Sequence, residues 1–466
     1  MNCEKETVVT LRGTFAGLGI AILLAAVPAL GQGLSYGRIT LSTGASPSAA
    51  RIGDLDGDGR NDIAVVTLQG SLQLFYGNGA GEFQQVSANG LWPGTQAMNL
   101  AIGDVNGDGR NDIAVALATS SGAVSILRNL GNRTFAAPVT YNTCNGANSV
   151  AIGDLDGDGD KDLAVTGGCS RAAILLNNGQ GAFTAGGLFG SGAAARAISL
   201  GDFNRDGALD IAYLNAATRG EVILLYNNGN ATFGPPWAFF AGDLPADFTI
   251  ADFSNDGGLD LAIANPYLGQ VIILFNDSGG TFQGYTELTL DTPDSIATGD
   301  FNNDGRTDVA AGSRNNNAVS LLLQTDPFNF NSGAWFPAGQ SPVATTTGNL
   351  DADARTDVAL VNQTAGTLTV LLSTVAPPPP PPPPPVHITL TLTARLTAAA
   401  RWVDLRWSGA PSSWVDIYRN GVRLTTAYNT GKHSDRFSRQ THGTFTYKVC
   451  VAGTTTQCSN QASITF

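Results

Sequence analysis

An acidic pattern, Asp-x-Asp/Asn-x-Asp-Gly-x-x-Asp, recurs along the chain and constrains its fold more than any other feature. It opens at Asp54, Asp104, Asp154, Asp202, Asp252, Asp300 and, in altered form, Asn349, at intervals of 48 to 50 residues. A period so regular marks an array of like units, each too small to bury an apolar face alone. The high glycine count, 57, and the low charged fraction, 14%, suit short strands joined by tight turns and suit helices poorly. No segment sustains a helical period.

Each unit reads as four strands. A short apolar segment such as residues 99–102 precedes the acidic loop, and a second begins at the last aspartate of the loop, as in residues 112–115. A third, very apolar segment follows, such as 222–225 or 271–274. An Asn/Gly turn then leads to a phenylalanine (Phe183, Phe233 or Phe282) that is expected to start the fourth strand. Four short antiparallel strands per ~45-residue unit describe a propeller blade. A β-solenoid is the rival, although its rungs are shorter and parallel. The seventh unit supplies only three strands, ending at residues 368–372, while residues 37–41 form a strand before the first unit. Placing that strand as the fourth of the last blade closes a ring and removes two sheet edges. The expected fold is all-β: a seven-bladed β-propeller of four-stranded antiparallel blades over residues 32–375, followed by a small β-sandwich.

The loops are built to hold a cation. Their side-chain oxygens fall at positions 1, 3, 5 and 9, and the carbonyl at position 7 can add another, as in the opening of an EF-hand loop. In the first loop the candidates are Asp54, Asp56, Asp58, Arg60 (through its carbonyl) and Asp62; in the second, Asp104, Asn106, Asp108, Arg110 and Asp112. The third offers Asp154, Asp156, Asp158, Asp160 and Asp162, and the fourth Asp202, Asn204, Asp206, Ala208 and Asp210. The fifth has Asp252, Ser254, Asp256, Gly258 and Asp260, and the sixth Asp300, Asn302, Asp304, Arg306 and Asp308. The seventh has Asn349, Asp351, Asp353, Arg355 and Asp357, with Ala354 where glycine is expected, so its site is expected to be weak or empty. Hard oxygen donors without His or Cys select Ca²⁺ over zinc or copper. Most of the 38 acidic residues sit in these loops, and seven Ca²⁺ ions would offset the net charge of −13. That charge argues against nucleic acid or anionic lipid as the main partner. Taken singly, such a loop could be an Asp-Gly turn; seven copies with one ligand spacing argue for metal.

These repeats resemble the FG-GAP or VCBS repeats of integrin α-subunit propellers and of many bacterial exported proteins. The resemblance covers about 340 residues and implies Ca²⁺ in the loop between the first and second strands, on one face, with ligands generally met on the other.

The flanking segments point outside the cell. Residues 1–31 read as a signal peptide, with Lys5 and Arg12 before an apolar run over residues 15–30; an uncleaved anchor is the alternative. Cys3 would leave with it, and the remaining Cys144, Cys169, Cys450 and Cys458 allow three pairings. Cys144–Cys169 and Cys450–Cys458 are favoured because each is local. Residues 376–386 form a polyproline linker whose nine consecutive prolines would extend roughly 28 Å at ~3.1 Å per residue, a spacer or a motif for a proline-binding domain. Residues 387–466 alternate strands and turns and resemble a bacterial fibronectin type III domain, which implies Trp407 in the core, Tyr447 as the corner tyrosine and Cys450–Cys458 across the last hairpin.

The sequence offers little for catalysis. The three histidines, His387, His433 and His442, all lie outside the repeats, and no serine-nucleophile motif is present. A secreted, monomeric, non-catalytic module binding an extracellular glycan or protein is the leading reading. A calcium-dependent polysaccharide lyase and a purely structural surface-display protein are the alternatives. Trp92, Trp237, Phe239, Phe240, Trp335 and Phe336 are expected in loops leaving the fourth strands, where they would either face a ligand or pack between blades.

Overall fold

A computed structural model describes residues 27–28, residues 34–375 except 89, 193, 194, 278, 332 and 354, and residues 388–466 except 411, 455 and 456. The chain divides into two compact units, Met1–Ala376 and Pro377–Phe466. All but two residues of the expected signal peptide, the whole linker, His387 and Ala354 lie outside the described residues. Val27 and Pro28 pair with Tyr36 and Ser35.

Among the described residues, the first unit contains seven antiparallel sheets in which at least four strands follow one another outward. Blade three shows the pattern: Ala147–Gly153, Asp162–Gly167, Ala172–Asn177 and Phe183–Phe189. The first strands of successive blades contact one another in turn, and the last of them, Pro342–Gly348, returns to the first, Pro47–Gly53. The sheets therefore close a ring. Second strands are buried along their whole length, as in Asp62–Thr67 and Asp357–Asn362, because each is covered on both faces by neighbouring blades. This is why they read as continuous apolar runs rather than as alternating ones. Core clusters accordingly lie between blades: Leu72, Leu74 and Tyr76 of blade one pack with Leu100, Ile113 and Val115 of blade two.

Closure follows the expectation from the sequence. Leu34–Ser42 pairs antiparallel with Thr367–Val375, with Gly37 opposite Leu372 and Leu41 opposite Leu368. Leu34, Tyr36, Ile39 and Leu41 are buried in the process.

The fourth strands depart from the expected pattern in three blades. In blade four Phe233 forms only an isolated bridge to Asn227, and the strand is Trp237–Gly242. Pro235 and Pro236 lie between, and neither has an N–H for the ladder. Blades two and six insert a two-stranded hairpin before the fourth strand, Asn129–Gly131 with Thr134–Phe135 and Gln324–Asp326 with Asn329–Phe330.

The second unit has a three-stranded sheet, Thr389–Leu396, Arg401–Ser408 and Lys432–Phe437, and a four-stranded sheet ordered Val422–Tyr428, Trp414–Arg419, Thr444–Val451 and Ala462–Thr465. One core containing Val403, Leu405, Trp407, Val415, Ile417, Tyr447 and Val449 joins them. The indole N–H of Trp407 donates to Asn429 Oδ1 at 2.8 Å, and the Tyr447 hydroxyl donates to Asp435 Oδ2 at 2.7 Å. The Tyr447 partner is thus a carboxylate, not the backbone carbonyl of a tyrosine corner. The disulfides are Cys144–Cys169 and Cys450–Cys458, the pairings favoured from the sequence.

Candidate metal centre

Each acidic loop joins the first strand of a blade to the second, so all seven lie on one face of the ring. Their local geometry is nearly identical. Position 1 organises the turn: one oxygen of Asp54 accepts the N–H of Gly59 at 2.9 Å, and the same bond recurs from Gly109, Gly159, Gly207, Gly257 and Gly305. Position 6 has positive φ, as in Gly59 at +81°. Position 4 does as well, a requirement the sequence pattern did not reveal because Arg205, Asn255, Asn303 and Ala352 fill it in the later loops at φ of 57° to 63°. The position-5 carboxylate accepts the N–H of position 7 in every loop, for example Arg60 N to Asp58 Oδ1 at 2.9 Å and Gly258 N to Asp256 Oδ1 at 2.7 Å.

Position 9 is the structural centre. Asp62, Asp112, Asp162, Asp210, Asp260, Asp308 and Asp357 are all fully buried. One oxygen accepts the N–H of loop position 2, as from Leu155 to Asp162 at 2.9 Å. The other accepts the N–H at or just after the end of the third strand, as from Asn177 at 2.8 Å. Burial pushes these carboxyls up, against the pull of the same backbone bonds: Asp62 and Asp210 to about 6, Asp308 and Asp357 to about 7. At Asp104, position 1 of the second loop, the balance reverses: burial opposes ionisation, but four backbone N–H donors together bring the carboxyl below its usual range.

Three carboxylates converge in two loops. Oxygens of Asp54, Asp56 and Asp62, and of Asp154, Asp156 and Asp162, lie within 4.8 Å of one another. Such crowding of like charge in a partly buried turn, with oxygen donors alone, fits a hard divalent cation. Asp58 and Asp158, also expected as ligands, do not join these clusters; Asp58 instead pairs with Arg60 Nη1 at 3.3 Å. Asp108 and Asp304 pair in the same way with Arg110 and Arg306. Where position 3 is an amide, Asn106, Asn204 and Asn302 donate Nδ2 to the position-5 carboxylate at 2.9 to 3.0 Å. The two convergent loops also differ. Arg133, from the inserted hairpin of blade two, pairs with Asp56 at 2.8 Å, whereas Asp156 has no cationic partner among the described residues.

A residue that sequence reasoning missed ties each loop to the next blade. Asn129, Asn177, Asn227 and Asn276 each donate Nδ2 both to the position-2 carbonyl of the preceding loop and to the position-8 carbonyl of their own. Gln324 makes the first of these bonds in blade six. The available signal was an amide recurring 15 to 17 residues after position 9. Blades one and seven have Gly77 and Ser373 there, so the seams between blades seven and one and between blades six and seven lack this tie.

The aromatic residues occupy different places from those expected. Trp92 does lie in a connection, but it is buried between blades and its indole donates to Ser125 Oγ at 2.9 Å. Trp237, Phe239 and Phe240 lie within the fourth strand of blade four, and Trp335 and Phe336 within that of blade six. Phe336 is buried against Tyr36, and Phe239 packs on Phe282. Trp237, Phe240 and Trp335 are exposed at 55%, 51% and 39%, on outermost strands rather than on the face opposite the acidic loops. Alternation along an edge strand turns one face of each pair outward.

Comparison with known proteins follows this geometry. The FG-GAP-like repeat family matches residues 54–115, 104–165, 154–213, 202–263, 252–311 and 300–360. No curated protein matches the sequence. Among solved structures, BBS1N in complex with ARL6DN is similar with a TM-score of 0.51 and 13% identity, over 72% of this chain and 97% of that one. A lectin of Agrocybe aegerita, described as recognising non-reducing terminal N-acetylglucosamine, gives 0.46 and 20% over 70% and 87%.

Proposed function

Because the chain belongs to the FG-GAP-like repeat family, we infer that it is a calcium-binding, non-catalytic module that recognises an extracellular glycan or protein. The observation that carries this reading is the convergence of Asp154, Asp156 and Asp162, repeated at Asp54, Asp56 and Asp62. Ca²⁺ would be held by positions 1, 3 and 9, with the carbonyl at position 7 completing the set. The ions would neutralise one face and stiffen the loops between first and second strands, leaving the opposite face and the axis for ligand. Two disulfides and the apolar N-terminal segment support export. Residues 387–466 serve as a fibronectin III-like accessory domain on a proline spacer; the three-plus-four strand order and the buried Trp407 and Tyr447 support that assignment.

The test is an array screen of the full chain against glycans and extracellular proteins, in Ca²⁺ and in EDTA. Specific binding in Ca²⁺ that weakens in EDTA is expected. Binding indifferent to chelation would remove the metal from the mechanism, and hydrolysis or elimination products from a bound polysaccharide would replace the reading with an enzyme.

A further inference from the structure

The calcium loops leave the axis of the ring unexplained. Each first strand ends at an acidic loop, so its starting half belongs to the opposite face. There the seven first strands and two of the turns between second and third strands enclose a cavity of about 770 Å³. Most of its wall is Ser, Thr and Asn side chains with small apolar residues. Five charged groups stand among them: Arg51 from blade one, Arg196 from blade four, Asp247 from blade five, and Asp294 and Arg314 from blade six.

Among these charges only Arg314 and Asp294 are in contact, whereas Arg51 and Arg196 act on Asp247, and Arg196 on Asp294, through their field alone. Asp247 accepts the N–H groups of Ile296 at 3.2 Å and Phe248 at 2.9 Å, and Asp294 accepts the N–H of Arg314 at 2.9 Å and faces its Nε at 3.6 Å. These bonds occupy part of each carboxylate's acceptor capacity. A smaller part of the donor capacity of Arg51 and Arg196 is occupied. Arg51 makes a single hydrogen bond, from Nη1 to Ala50 O at 2.8 Å, although burial is strong enough to lower its guanidinium pKa against the field of Asp247. Arg196 donates no side-chain hydrogen bond to a described residue, and neither it nor Arg51 lies within 4.0 Å of a carboxylate. A guanidinium has five N–H donors in a fixed fork. Two guanidiniums with few protein partners, Arg51 half-buried and Arg196 exposed at the cavity, leave three cationic groups against two anionic ones there, on a chain of net charge −13.

We propose that this axial cavity binds a carboxylate-bearing saccharide, with Arg196 and Arg51 as the carboxylate anchors. The planar fork matches a carboxylate in two parallel bonds, which an ammonium or a hydroxyl cannot reproduce. The hydroxyl and amide wall suits sugar hydroxyls, and the volume falls in the range of small-ligand sites. The proposal rests on the binding-module reading and names its ligand class.

The experiment is calorimetric titration of the full chain, in Ca²⁺ and low salt, with trigalacturonate and with the same trisaccharide as its methyl ester. The acid should bind at least tenfold more tightly than the ester. Arg196→Gln, at an exposed position and expected to keep the wild-type melting temperature, should abolish that difference, and Arg51→Gln should reduce it. Equal binding of acid and ester, no binding of either, or an unchanged Kd in both variants would overturn the proposal. The array screen separates the two readings. Ligands that survive Arg196→Gln leave the binding module standing without this site. An array without ligands, together with a silent titration, removes both.

Discussion

At the scale of single residues, the acidic loop combines two functions in one spacing. Position 9 is architecture with or without a metal, because its two oxygens already close the loop onto the third strand. Position 3 in the convergent loops makes no bond to the third strand; it accepts only the exposed N–H of position 5, at 3.2 Å, and in Asp56 also pairs with Arg133. The distinction predicts opposite behaviour for two neighbours in blade three. Asp162→Ala leaves the N–H groups of Leu155 and Asn177 without acceptors in the core, each costing about 1–3 kcal/mol. It should destabilise the protein strongly even in EDTA. Asp156→Ala removes a convergent charge and one exposed acceptor, that of the Asp158 N–H at 3.2 Å, so it should leave stability in EDTA nearly unchanged and shrink the gain on adding Ca²⁺. Denaturant melts of both variants with and without the ion decide the matter. Equal losses in EDTA would show that position 3 is architectural as well.

At the scale of elements, most of the ring was legible, and the reason is repetition. Second and third strands are covered on both faces, so apolarity accumulates at the same offset in every unit and the acidic loop fixes the register between them. Fourth strands are the least constrained, with one covered edge and one open, and there the reading slipped. Phe233 was separated from its strand by two prolines, and Trp335 was assigned to a connection. The inter-blade amides stayed hidden for a different cause: an Asn two residues before Gly, as at Asn129, Asn177 and Asn227, reads locally as part of a turn, and only the fold brings Asn227 to the carbonyl of Leu155. The closing strand was visible because blade seven ran out of chain. Deleting residues 32–42 removes the partner of Thr367–Val375 and exposes an apolar edge. That deletion should lower the melting temperature and shift the protein to aggregates on size exclusion. A deletion variant that stays monomeric and melts like the parent would mean that the edge strand contributes no closure.

At the scale of the whole molecule, the proposed calcium would compete with protons for the same buried carboxylates. Their folded pKa values, about 6 to 7 in four loops, lie above the 3.8 of the exposed group. The native state therefore binds protons more tightly than the unfolded chain, and these groups' contribution to stability falls as pH rises from about 4 through 7. Calcium at the proposed sites would require the anions and reverse the trend. In EDTA the propeller should be less stable at pH 7.5 than at pH 5; in millimolar Ca²⁺ the order should invert, with about 2.7 kcal/mol gained per site when the ion stands at a hundred times its Kd. Residues 388–466 form their own compact unit, and their melting should ignore the ion. Calorimetry at the two pH values, with and without EDTA, checks both statements, and a propeller transition indifferent to calcium at pH 7.5 would refute the loop assignment. The closing strand also sets the order of events during synthesis. Leu34–Ser42 is made early, yet its partner, Thr367–Val375, comes after every other strand of the ring. Its apolar edge must wait unpaired while the intervening chain is made. A protein joined in this way cannot finish folding until nearly the whole propeller sequence is available. The last blade thus acts as a checkpoint for completeness, and a truncated product carries a permanently open seam.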